Sequence, residues 1–132
     1  MNMSTTQTVS FSDVGLHAQL DRYTDDELDA LGFGVICIDA DTLVQRYNSF
    51  ECKAAGLSSQ RVLGQPLFTV VAPCMNNFMV AQRFDDALTS GSPLDTTIDY
   101  VLTLRMRPVK VKLRLLTLPG CASRYVLVQR PA

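Results

Sequence analysis

Between Val109 and Leu118 the chain alternates apolar and charged side chains, setting Val109, Val111, Leu113 and Leu115 against Lys110, Lys112 and Arg114. A period of two sends the two sets to opposite faces of an extended strand, so this segment belongs in a sheet with one face against a core. Strand-like segments flank it at Pro93 to Leu104 and Arg124 to Gln129, and Pro119-Gly120 with its neighbours supplies the final turn. Three consecutive antiparallel strands thus fill the last third of the chain.

The first two thirds complete the sheet and cover it. Phe33-Gly34-Val35-Ile36-Cys37-Ile38-Asp39 is a β-branched run ending in the turn-forming Asp39-Ala40-Asp41, and a second apolar stretch at Leu43-Val44 makes the pair a hairpin. Asn48 or Ser49 can cap a short helix through Glu51 to Ala55 that Gly56 closes, and Ser58 to Gly64 repeats that pattern. The spacing of Phe78, Val80, Ala81, Phe84, Ala87 and Leu88 predicts one longer amphipathic helix ended by Gly91. Upstream, Thr24 with Glu27 matches a capping box and predicts a helix over about Asp25 to Ala30. Residues 1–10 read as a mobile start. The expected architecture is α+β: a five-stranded antiparallel sheet with short helices and one longer helix across one face, and a helical cap. Residues 1–32 form that cap and start, and residues 33–132 the core of a single domain, for which 132 residues suffice without metal or disulfide staples.

Composition narrows the function classes. A net charge of −1 and no dense run of Lys or Arg argue against nucleic acid. No apolar stretch reaches the length of about 20 residues that a membrane span requires, and the start lacks the order of a secretion signal, so a soluble, cytoplasmic protein is expected. Cys37, Cys52, Cys74 and Cys121 show no C-x-x-C spacing and His17 is the single histidine, so no structural zinc site is expected. Four free thiols in a reducing compartment are by default small hydrophobes. Cys74 differs, because Pro73 fixes its own φ and pushes Ala72 away from helix, giving the thiol a defined position.

Tyr47 and Glu51 stand four residues apart, a spacing that on a helical turn projects a phenol and a carboxyl to one side. Solvated helix faces show the same spacing. The apolar context of Phe50, Cys52, Ala54 and Ala55 favours a buried carboxyl, which prefers to be neutral and can then donate a proton.

Taken together, these landmarks resemble the photoactive yellow protein family, small blue-light receptors of the PAS fold. The resemblance runs from about Phe11 to the C-terminus. It rests on Phe33-Gly34-Val35-Ile36 leading into Tyr47-Asn48, on Glu51 and Gly56, on Val71-Ala72-Pro73-Cys74, on Ser90-Gly91, and on Met106, Pro108 and Lys110-Val111-Lys112. It implies that Cys74 carries p-coumaric acid as a thioester and that Tyr47 and Glu51 hydrogen-bond its phenolate oxygen, with Glu51 the proton donor after light-driven trans to cis isomerisation. The implied pocket lining is Ile36, Ala55, Leu57, Val71, Ala72, Pro73, Leu102, Leu104 and Met106. Glu51, once ionised, is expected to lack a countercharge, and the strain to be relieved by loosening the cap, the segment with the fewest evident long-range constraints. The output then passes through an unidentified signalling protein, from a monomer or weak dimer.

Two departures from the family bear on tuning. Ala55 stands where the family commonly has a threonine supporting the tyrosine, and Leu57 where an arginine commonly covers the ring; Leu102 and Leu104 replace common aromatics. The photoreceptor is the leading reading, and Ala55 and Leu57 are the best arguments for the alternative, a PAS-type ligand-binding or protein-interaction module that has lost light sensing. Catalysis by Cys74 with His17 finds no orienting carboxylate, His17 reading as a surface residue, and a thiol redox sensor would need Cys52 and Cys74 within bonding range. No enzyme activity is expected.

Overall fold

In a computed structural model the protein is described over residues 9–103 and 108–131. The cap contains α1 (Leu16–Arg22) and α2 (Asp25–Asp29), followed by the hairpin β1 (Gly34–Ile38) and β2 (Val44–Tyr47). Short helices α3 (Ser49–Ala55) and α4 (Ser59–Val62) come next, then the longer α5 (Ala81–Ser90) and the strands β3 (Leu94–Leu102), β4 (Val109–Thr117) and β5 (Arg124–Gln129). The sheet order is β2-β1-β5-β4-β3, and each neighbouring pair is antiparallel. Expected residues 1–8 of the start, Leu104 at the end of the third strand, and Met106 lie outside the described residues.

Alternation works as the sequence implies. On one face, Ile36 pairs with Val126 and Val126 with Leu115, while Leu113 pairs with Val128. With Val111 and Leu102 they form a core under α5 and the segment 67–75. On the other face, Val35, Cys37, Leu116, Tyr125 and Leu127 form a second core with Phe11, Leu16, Leu20, Leu28, Leu31 and Phe33 from the cap. Helices on one face alone is therefore corrected: both faces are covered. That is why β1 is buried along its whole length and why its sequence is a continuous apolar run. It also explains why Arg114, set by alternation on the face opposite Leu113 and Leu115, is buried.

The cap is tied down more firmly than its composition suggests. Thr24 and Glu27 make the full capping box of α2. Arg46 on β2 donates to the carbonyls of Leu20 and Tyr23 and pairs with Asp25. Buried Arg114 donates to the carbonyls of Phe11 and Asp13 while gripping Asp95 with both nitrogens at 2.9 Å. The expectation of few long-range constraints is thus overturned, since the cap must hold the sheet's second apolar face.

Other sequence expectations shift locally. The long helix begins at Ala81 rather than near Phe78, and Phe78 and Leu88 are exposed. His17, read as a surface residue, is buried. Tyr47 ends β2, and the helix starts only after Asn48, so Tyr47 and Glu51 come from two elements and not from one turn.

Asn48 forms the junction. Its Oδ1 accepts from Val35 N at 2.9 Å and Glu51 N at 3.2 Å, and its Nδ2 donates to Leu28 O at 2.9 Å and Phe33 O at 3.0 Å. Replacing it by alanine strands buried donors and acceptors on the cap, β1 and α3 together. Asn48→Ala should cost about 2–4 kcal/mol, read as a lower urea midpoint. A loss below about 1 kcal/mol, the value of one ordinary helix cap, would show that these bonds do not act as a junction.

Candidate functional site

Cys74 lies where apolar chain turns over. Residues Leu67–Val71 make a single π-helical turn and Pro73–Met75 a 3₁₀ turn. Between them Ala72 adopts φ −139° and ψ 70°, outside the helical region that a following proline disfavours. The Cys74 carbonyl accepts from Tyr100 Oη at 2.5 Å and Asn77 Nδ2 at 3.2 Å. Its half-buried side chain packs against the core that contains Tyr47. Sequence reasoning missed both: Tyr100, because only the fold brings β3 against this turn, and Asn77, although it is a local contact three residues on.

The predicted lining residues gather on the same side of the sheet. Ile36, Val71, Ala72 and Leu102 are buried in that core, and half-buried Leu57 packs on its border. Ala55 is buried at the end of α3, whereas Pro73 is exposed. A cleft of about 850 Å³ runs past Asn77, Tyr100, Val111 and Arg130. It borders the residues that hold Cys74 and Glu51; Cys74, Tyr47 and Glu51 themselves do not line it.

Glu51 is 0% exposed. Its two oxygens accept from Arg130, Nη1 to Oε1 at 2.6 Å and Nη2 to Oε2 at 3.1 Å. Such a two-point grip matches a carboxylate. Gly34 makes room for it, since a Cβ there would overlap Glu51 Oε1 and press on Val128. Burial pushes the Glu51 carboxyl above its ordinary value, and the hydrogen bonds and charge of Arg130 pull it down without reversing the shift. Tyr47 is raised too, first by burial and then by the charge of Glu51. The expectation that an ionised Glu51 lacks a countercharge is corrected: Arg130, just past the end of β5, supplies one. Its position beside Glu51 follows from β5 lying next to β1, which no local motif announces.

A five-stranded antiparallel sheet in this order, with several helices packed on it, is the PAS fold. The chain superimposes on the PAS domain of the quorum-sensing receptor RpfR of Cronobacter turicensis in complex with BDSF with a TM-score of 0.60, covering 77% of this chain and 96% of that one. At 16% identity that likeness is one of fold. No family model matches the chain. Photoactive yellow protein of Halochromatium salexigens is 31% identical over 122 residues, 92% of this chain and 97% of the relative. The photoactive yellow protein domain of the sensor histidine kinase Ppr of Rhodospirillum centenum is 34% identical with a TM-score of 0.79, covering 86% of this chain and 98% of that domain. The chain belongs to the photoactive yellow protein family, and its role at the family level is that of a photoreceptor or PAS sensory domain. No helix among the described residues is long and apolar enough to cross a membrane.

The shift at Glu51 has a signed effect on stability. With a folded value above the ordinary 4.5, the native state binds more protons than the unfolded chain between the two values. This group's contribution is therefore complete below pH 4.5 and declines as pH rises through the folded value. Urea unfolding of wild type and Glu51→Gln from about pH 4 to about pH 8 should show that decline in the difference between the two. Arg130→Gln, which removes the lowering cation, should extend it to higher pH. A difference that grows in favour of wild type as pH rises would overturn the assignment.

Proposed function

We propose that this chain is a blue-light photoreceptor that carries p-coumaric acid as a thioester on Cys74, with Tyr47 and Glu51 hydrogen-bonding the phenolate oxygen. The observation that carries the reading is a fully buried carboxyl beside a buried tyrosine, in a family member whose Cys74 packs on the core that includes that tyrosine. An unpaired anion in an apolar site costs several kcal/mol, which short charge-assisted hydrogen bonds offset, and Tyr47 Oη and a protonated Glu51 are groups that can donate them. When bound, the chromophore supplies visible absorption, a double bond that isomerises from trans to cis in light, and a phenolate able to take up a proton.

The protein's part is to hold and then release that proton. Glu51 is poised for this, because burial favours its acid and Arg130 favours its carboxylate. After giving up the proton, Glu51 pairs with Arg130 through both oxygens. The consequence reaches the cap through Asn48, which accepts from the amide of Glu51 and donates to Leu28 O in the cap. A change in the first turn of α3 therefore bears on α2 and on the segment before Phe33. Loosening of this cap is the signal, read in the cytoplasm by a separate protein and given by a monomer or weak dimer.

A second reading keeps the fold without light sensing, as a ligand-binding or interaction module. It is favoured by the Arg130 grip on Glu51, by Ala55, which offers no hydroxyl to support Tyr47, and by Leu57, which offers no cation to cover a chromophore ring. Reconstitution with activated p-coumaric acid separates the two. The photoreceptor gains the mass of one p-coumaroyl group and a visible band, both lost in Cys74→Ala; absence of an adduct on wild type supports the module. In the adduct, light should speed hydrogen exchange over residues 11–31, and equal exchange in dark and light would remove the cap from the signal.

A further inference from the structure

Away from that pocket, the cap meets the β4–β5 turn in a cluster with unusual chemistry. His17 on α1 is 4% exposed. Its Nε2 lies 2.8 Å from the carbonyl oxygen of Ser123, which can only accept, so Nε2 carries a hydrogen. Nδ1 is buried without a hydrogen-bond partner, and the nearest charge is Asp21 Oδ2 at 3.6 Å, one helical turn on. In the neutral ring a lone pair thus faces a carboxylate with no donor between them. Cys121, exposed on the turn between β4 and β5, completes the set: one ligand atom each from His17, Asp21 and Cys121 lies within 4.8 Å of the others.

We propose that His17 Nδ1, Asp21 and Cys121 Sγ bind a zinc ion that fastens the cap to the β4–β5 turn. A nitrogen, a carboxylate oxygen and a thiolate are the donors zinc takes, and three protein ligands leave the fourth tetrahedral position to water. The surroundings already orient the ligands. The imidazole N–H is fixed by a backbone carbonyl, and Asp21 Oδ1 accepts from Ser123 Oγ and Tyr125 Oη, both at 2.6 Å. Zinc bonds require the three atoms to draw together by about 1 Å, a movement open to an exposed thiol beside Gly120. On binding, the Cys121 thiol loses its proton to solvent and no electrons are transferred. The site is independent of what Cys74 carries. It would oppose loosening of the cap, because it links α1 directly to the hairpin whose strands form the middle of the sheet.

The test uses the full chain, stripped with a chelator under reducing conditions and titrated with cobalt(II) and then zinc. One equivalent of cobalt should produce a sulfur-to-metal charge-transfer band that zinc abolishes. Cys121→Ala should remove the band, while Cys52→Ala and Cys74→Ala retain it. Ser123→Ala should weaken binding about tenfold or more by freeing Asp21. Zinc should also slow hydrogen exchange over Leu16–Arg22. Absence of stoichiometric binding, or a band that survives Cys121→Ala, overturns the proposal, as does an unchanged affinity in His17→Gln. Should His17→Gln fail to fold, Asp21→Asn at an exposed position takes its place and is judged in the same way.

Discussion

The fold turns on one buried amide. Asn48 satisfies two backbone donors and two backbone acceptors that would otherwise be stranded where the cap, β1 and α3 converge. Unmet groups at such depth are costly, and a neutral amide is the side chain that can serve both kinds at once. Without it the two cores would still be apolar, and Arg46 and Arg114 would still tie the cap to the sheet, but the link from the cap through β1 to α3 would be lost. The same residue starts the helix that carries Glu51, so the geometry of the candidate site and the seating of the cap share one anchor.

Glu51 shows how a buried charge can be held in balance. Desolvation and Arg130 pull its protonation in opposite directions, and Gly34 leaves the space in which the two-point grip forms. A buried ion pair of this kind adds little net stability compared with apolar packing, although breaking one half of it is expensive. Burial and Arg130 thus act on the same carboxyl in opposite senses, and a change at either one moves its protonation. Tyr47 is under less tension, since burial and the neighbouring carboxylate both keep its hydroxyl protonated.

Much of this was legible in the residues. The period of two in Val109–Leu118 and the β-branched run at Phe33–Asp39 specified strands, and Thr24 with Glu27 specified the start of α2, because each signal is local. Cys74 and Glu51 could be singled out because a preceding proline and an apolar neighbourhood are written beside them. What escaped was non-local. Arg130 reaches Glu51 across 79 positions, and Tyr100 reaches Cys74 across 26. Arg114 looked like an exposed member of an alternating strand until the cap was laid over it. His17 likewise looked like a surface residue, since a lone histidine in the helical cap carries no mark of the turn that buries it.

The strand order carries a consequence for how the molecule is made. The middle position of the β2-β1-β5-β4-β3 sheet belongs to the last of the five strands to leave the ribosome. The N-terminal hairpin and the β3–β4 pair can each form early, but they have no common edge until Gln129 is in place, and such distant pairing is slow to close. Until then Glu51 has no Arg130 beside it, and both apolar faces are open to water. Completion of the Glu51–Arg130 pair, and of the cleft that Arg130 lines, is therefore a late event in synthesis.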